Sequence, residues 1–239
     1  MKIIAIIPAR SGSKGLPDKN IANVCGRPLI DYTIKAAIDS KCFETIMVST
    51  DSERYAQIAK KCGAEVPFMR SVITSGDSAG SWDVVREVLN NYKKKGMTYD
   101  YVALLQPTSP LRSAIDIKMA VKMLDTDYIN SIVSVTETEH PVQWCFTLPD
   151  DFAMSEYAKS PYNNVRRQDL KKYYQENGAI YLVNASKIMN EDYNLYEDKC
   201  YAYIMPRERS IDIDTKMDLI VLKAIIAENI WMTEVQNAN

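Results

Sequence analysis

Three short stretches carry residue types whose spacing suits chemistry on a phosphorylated substrate. The first is Pro8-Ala9-Arg10-Ser11-Gly12-Ser13-Lys14-Gly15-Leu16-Pro17-Asp18-Lys19-Asn20. Its small residues let backbone N–H groups turn inward as an anion nest, and Arg10, Lys14 and Lys19 add positive charge. A nucleoside triphosphate is a suitable guest for such a loop. Neither of the two familiar phosphate loops is present. Gly15 is followed by Leu16 and Pro17, which breaks G-x-x-x-x-G-K-[ST], and Gly12 and Gly15 alone do not make G-x-G-x-x-G.

The second stretch is Leu105-Gln-Pro-Thr-Ser-Pro-Leu-Arg112. Two prolines stiffen it, so Gln106, Thr108, Ser109 and Arg112 are expected to present polar groups in a fixed array to a polyhydroxylated, anionic substrate. The third is Ser210-Ile-Asp-Ile-Asp-Thr-Lys-Met-Asp218. Residues i and i+2 of an extended chain share a side, so Asp212 and Asp214 point together while Ile211 and Ile213 face the core. Two carboxylates that close repel unless a cation joins them or one takes a proton. Magnesium, completed by phosphate oxygens, is the expected cation. The competing reading makes Asp214 a helix N-cap; Asp218 is read as a capping partner of Thr215.

These stretches need elements to position them. Short apolar runs alternate with helical patterns: strands over Lys2–Ile7, Thr45–Ser49, Tyr101–Leu105 and Ser131–Val135, and helices over Leu29–Ser40, Trp82–Lys95 and from the Ser113–Asp116 capping box to Leu124. Asp51 is expected to cap a helix reaching Lys61. The alternation predicts an α/β fold, a mostly parallel sheet with helices on both faces, in which ligands bind beyond the carboxyl ends of strands. That rule points to the residues just after Ile7, Ser49 and Leu105. Glu137–Asn177 has no clean period but many aromatics, among them Trp144, Phe146, Phe152 and Tyr157, and is expected to form a protruding lobe that meets a partner subunit. Strands resume at Ala179–Val183 and Tyr201–Met205, with a last helix from Thr215.

Composition excludes several classes. Net charge is −2, from 29 basic and 31 acidic residues, so no overall field favours nucleic acid or an anionic membrane. The opening MKIIAIIPAR has an apolar run too short for a signal-peptide core or a bilayer span and reads as a buried strand. Five scattered cysteines without C-x-x-C argue against structural zinc or a disulfide framework and suit a reducing, cytoplasmic setting. His140 is the only histidine, which leaves a hydrolase triad without support.

Taken together, A-R-x-G-S-K-G-L-P-x-K-N at Ala9–Asn20, L-Q-P-T-S-P-L-R, N-G-A-I-Y at Asn177–Tyr181 and S-I-D-I-D-T at Ser210–Thr215 resemble, in the same order, the CMP-sialic acid synthetase (N-acylneuraminate cytidylyltransferase) family. The resemblance spans essentially the whole chain. It implies a Rossmann-like nucleotidyltransferase core in one domain over residues 1–239, with an inserted dimerisation lobe at about 138–176 that reaches the active site of the partner in a homodimer. It also implies roles. Ala9, Arg10, Ser11, Gly12, Ser13, Lys14, Gly15, Lys19 and Asn20 would line the triphosphate and cytidine site, with Arg70 and Ser81. Gln106, Thr108, Ser109, Arg167, Gln168 and Tyr181 would contact the sugar acid. Asp212 and Asp214 would hold Mg2+. The chain departs from the family in the acceptor pocket: Arg167-Gln168 is followed by Asp169-Leu170-Lys171, Gln175 stands where some relatives have arginine, and Tyr193 and Tyr196 replace an aromatic pair.

The implied reaction is attack by the anomeric hydroxyl of a nine-carbon 2-keto sugar acid on the α-phosphorus of CTP, expelling pyrophosphate. Arg10, Lys14, Asp212 and Asp214 would carry most of the electrostatic work. Legionaminic acid, pseudaminic acid or Kdo are the alternative acceptors. A non-catalytic nucleotide-sensing module is the alternative of a different class, and it predicts a broken basic loop or a missing aspartate pair.

Overall fold

The computed structural model describes residues 1–12, 15–76, 79–125 and 129–228. The chain runs β1 (Ile3–Pro8), β2 (Asn23–Val24), β3 (Arg27–Pro28), α1 (Leu29–Ser40), β4 (Thr45–Ser49), α2 (Glu53–Lys61), α3 (Val72–Ser75) and α4 (Ser81–Lys94). It continues through β5 (Tyr101–Leu104), α5 (Ala114–Met123), β6 (Ser131–Glu137), α6 (Ser155–Ala158), β7 (Tyr174–Asn184), α7 (Ala185–Ile188), β8 (Cys200–Ile204) and α8 (Lys216–Ala227). Six strands form one sheet in the order β4-β1-β5-β7-β6-β8. Only β7 runs against its neighbours, β5 and β6; the other adjacent pairs are parallel.

Strand β1 is apolar throughout because both its faces are covered. Ile3, Ala5 and Ile7 pack with Ile30 and Ile34 of α1 and Ile117 of α5. Ile4 and Ile6 face the other way, against Val85, Val88 and Leu89 of α4 and Ile188 of α7. A smaller core joins Val24, Leu29 and Leu111 to Ile213 and to Leu222 of α8. That core anchors the segment carrying Asp212 and Asp214 to the carboxyl-end rim of the sheet.

Two local expectations are corrected. Asp51 does not cap α2. Ser52 does, accepting from the Tyr55 amide, and Asp51 turns instead to the loop after β1. Strand β7 also begins well before Ala179. Tyr174, Gln175 and Glu176 already pair with Glu137, Thr136 and Val135, and the ladder shifts register before Tyr181 meets Val133. Gly178 sits in that irregular stretch with φ +69°, a left-handed conformation glycine adopts at little cost. The kink splits the strand's alternation, so no period shows in the sequence. What remains of the aperiodic region, 138–173, holds only a 3-10 turn at Val142–Trp144, α6 and a second turn at Arg167–Asp169. Within it the Phe146 and Tyr157 rings stack at 4.4 Å.

One buried ion pair ties the rim together. Asp116, in the first turn of α5, accepts from Nε and Nη2 of Arg209 at 2.9 Å each, from the Ser113 amide and hydroxyl, and from Tyr203 Oη at 3.1 Å. Burial alone would raise this carboxyl, but Arg209 and Ser113 outweigh it and hold Asp116 below the usual carboxylate range. Removing one partner of such a pair strands the other charge in the core. Asp116→Ala or Arg209→Ala is therefore expected to lower unfolding free energy by about 3–5 kcal/mol, read from urea midpoints. The lowered carboxyl contributes stability that is complete above the pKa of an unfolded aspartate and is lost as pH falls through the folded value. Asp116→Asn should accordingly be less stable at neutral pH and lose less of its stability on acidification.

Candidate active site

The polypeptide leaves β1 at Pro8 and enters the glycine-containing loop. Ala9 is fully buried and its amide donates to the Ser49 carbonyl at 2.9 Å, so the loop starts from a fixed point. Asp51, just beyond β4, accepts from the Ser11 amide at 2.9 Å and the Ser11 hydroxyl at 3.2 Å. At the far end Asp18 has φ 54°, and its carboxylate takes Tyr55 Oη and Arg54 Nη1 at 2.9 Å each. Asn20 then donates back to the Arg10 carbonyl at 3.2 Å. Helix α2 and its approach thus clamp both ends of the loop. Ser13 and Lys14 lie outside the described residues.

The loop passes directly over the aspartate segment. A Cβ placed on Gly15 would stand 3.3 Å from the Asp214 carbonyl oxygen, and Lys19 Nζ lies 3.0 Å from Asp214 Oδ1. The cap of α8 is Thr215, whose hydroxyl accepts from the Asp218 amide, while Asp218 accepts from the amides of Thr215 and Asp214. Capping therefore falls to Thr215 and Asp218, and the Asp214 side chain is left to the cavity. Asp212 lies beside it. Desolvation first, and then the charge of Asp214, raise the Asp212 carboxyl, against the lowering effects of the Thr108 hydroxyl and Lys19.

Beyond β4, Arg70 donates to the Ser49 hydroxyl at 3.1 Å and carbonyl at 2.9 Å, and burial pushes its guanidinium down to about 10. The residues after it are fastened to α4, where the Glu87 carboxylate accepts from the Ser71 amide at 2.8 Å, the Ser71 hydroxyl and the Thr74 hydroxyl. Beyond β5, the Thr108 carbonyl accepts from the Ile213 amide at 2.8 Å. All these pieces border one cavity of about 530 Å³, whose wall includes Arg10, Lys19, Arg70, Ser81, Gln106, Thr108 and Asp214. Cations and carboxylates face each other there, an arrangement able to hold a multiply charged anion together with a metal ion.

Other expected residues lie elsewhere. Ser109 is fully buried and its hydroxyl donates to the Asn177 carbonyl at 3.2 Å, so it braces β7 and does not line the cavity. Arg112 is likewise internal, with Nη1 donating to the carbonyls of Gln106 at 3.3 Å and Ala179 at 2.7 Å, and burial pushes it down to about 9. Tyr181 stands edge-on to Trp82 and donates to Glu176 at 2.9 Å, where Tyr196 also donates at 2.8 Å. Burial first, and then Glu176, raise the Tyr181 phenol. Arg167 borders a separate hollow with Arg207, and Gln168 shares its turn; neither reaches this cavity. The sequence reading gives Asp51 a capping role only and assigns none to Glu87 and Glu176. Its rule that ligands bind just beyond strand ends does point to Asp51, which follows β4.

An open, mostly parallel sheet with charged loops converging on one cavity beyond its strand ends defines an α/β nucleotidyltransferase fold. Residues 4–219 match the family described as cytidylyltransferase, and the chain belongs to that family. It is 40% identical over 223 residues to the N-acylneuraminate cytidylyltransferase of Streptococcus agalactiae serotype V, covering 92% of this chain and 52% of the relative. The chain thus spans about half the length of that relative. It is 36% identical to the CMP-N,N'-diacetyllegionaminic acid synthase of Legionella pneumophila, covering 96% of this chain and 98% of that one. In fold it is similar to CMP:2-keto-3-deoxy-manno-octonic acid synthetase complexed with CTP, at TM-score 0.71 and 18% identity, over 96% of this chain and 100% of that chain.

The close approach of Gly178 to Gln106, which lines the cavity, offers a clean test of the site's tolerance. A Cβ there would come 3.1 Å from Gln106 Oε1, whereas one on Gly96, also at positive φ (+77°), would meet nothing within 4 Å. Gly178→Ala and Gly96→Ala should each cost about 1–2 kcal/mol of stability in denaturant melts for the left-handed backbone. Only Gly178→Ala should also impair turnover, through displaced Gln106.

Proposed function

We propose that this chain transfers CMP from CTP to the anomeric hydroxyl of a sialic-acid-type nonulosonic acid, releasing pyrophosphate. The observation that carries the reading is the shared cavity of Arg10, Lys19, Arg70 and Asp214 at the rim of a cytidylyltransferase fold. The named activities of the relatives support it, since they include N-acylneuraminate and diacetyllegionaminate activation.

Arg10, Lys19 and the loop amides bind the triphosphate and offset charge growing on the leaving pyrophosphate, with Lys14 assigned to the same task. Arg70, Ser81 and Asn20 hold the cytidine end. Gln106 and Thr108 orient the acceptor, with Tyr181 at its border, and the bracing from Ser109 and Arg112 keeps those groups aligned. Asp212 and Asp214 fit magnesium. They are hard oxygen donors, and the charge of Asp214 helps to raise Asp212. Once bound, magnesium supplies charge neutralisation at the phosphates and lowers the pKa of a bound hydroxyl.

The exposed Phe146, Leu148, Phe152 and Tyr162 support a homodimer in which Arg167 and Gln168 serve the partner's acceptor pocket. The five free thiols suit the reducing cytoplasm.

The deciding assay is pyrophosphate release from CTP with a panel of N-acetylneuraminic, legionaminic and pseudaminic acids and Kdo, with and without EDTA. Release with N-acetylneuraminic acid that EDTA stops is the expected result. No release with any acid would leave a nucleotide-sensing module in its place. Asp214→Ala should lose on the order of a hundredfold in kcat, about 3 kcal/mol of transition-state stabilisation, with its melting temperature unchanged.

A further inference from the structure

Lys19 lines the cavity beside Asp214. Its ammonium lies 3.0 Å from Asp214 Oδ1, with its own side chain 15% exposed and that of Asp214 71% exposed. Both ends of this pair are held. Lys19 follows Asp18, which Arg54 and Tyr55 grip, and Asp214 follows Ile213, which is fully buried and bonded to Thr108. The backbone amide of Asp214 is fixed by Asp218. The contact is therefore set by two anchored segments from opposite ends of the chain, and two long side chains have not merely met at the surface.

A carboxylate already holding an ammonium is a poor ligand for a bare metal ion. The arriving cation must displace a positive charge and accept its repulsion at close range. A triphosphate entering beside Arg10 changes this, because Lys19 lines the same cavity and gains a more highly charged anionic partner. We propose that Lys19 couples nucleotide to metal: it guards Asp214 against a divalent cation alone, and is drawn off when a triphosphate arrives. Metal binding at Asp214 is then conditional on nucleotide, and by linkage each strengthens the other. This rests on the reading of the cavity as a site for CTP and magnesium.

Manganese, followed as free ion by electron paramagnetic resonance, tests the coupling without turnover. In the absence of nucleotide, Lys19→Met, which keeps the length and removes the charge, should bind Mn2+ at least about fivefold more tightly than wild type, the lower bound of ordinary site coupling. Adding Asp214→Asn to Lys19→Met should abolish the gain. Arg10→Met removes a positive charge from the same cavity and should give a much smaller gain. Unchanged or weaker Mn2+ binding by Lys19→Met, or an equal gain from Arg10→Met, overturns the proposal. Should Lys19→Met fail to fold by circular dichroism, Lys19→Gln carries the same expectations. A separate arm adds CTP without acceptor. If wild type then forms no Asp214-dependent Mn2+ complex, the metal reading of the site fails, which is a different outcome from failure of the coupling.

Discussion

Asp116 and Arg209 are the constraint on which the rim of this molecule depends. Asp116 starts α5, directly after the Gln106–Arg112 connection, and Arg209 sits three residues before Asp212. Their paired hydrogen bonds therefore join two segments that the sheet alone would leave independent. Asn177 adds the third. It donates to the Ser210 hydroxyl at 2.9 Å and accepts from Ser134 at 2.6 Å, while its carbonyl takes Ser109. The Asp116 carboxylate and the Asn177 side chain are tolerable this deep because each finds partners, and such paired groups specify one arrangement where apolar packing would allow several. The floor of the cavity inherits that rigidity.

The opposite wall is held differently. The loop after β1 and the stretch from Arg70 to Gly76 have little apolar anchorage, and polar side chains fasten them from outside. Asp51 grips the first at Ser11 while Arg54 and Tyr55 hold its Asp18, and Glu87 grips the second. Charge-assisted bonds to backbone amides fix a loop's course without filling its concave side.

Much of this was legible from residue order. Continuous apolar runs marked the central strands, and the spacings Ser113–Asp116 and Thr215–Asp218 marked helix starts that form as capping boxes. The three charged stretches converge because all follow elements ending at one rim. What escaped reading depends on partners remote in sequence. Ser109 and Arg112 look like substrate-facing groups within their own proline-rich stretch, and only the return of β7 past them turns them inward. Asp51 looks like a helix cap until the first loop is folded beside it, and the glycine kink in β7 erases the alternation that would have announced the strand's first half, before Ala179.

The lone reversed strand has a further consequence. Because β7 runs against β5 and β6, the chain leaves the sheet at Glu137 and re-enters at Tyr174 on the same side as the cavity. The whole of 138–173 is thus an outgrowth from the working edge, and its length places no demand on sheet pairing. Descendants of such a sequence can lengthen, shorten or redecorate this overhang while the six-stranded sheet is left as it was.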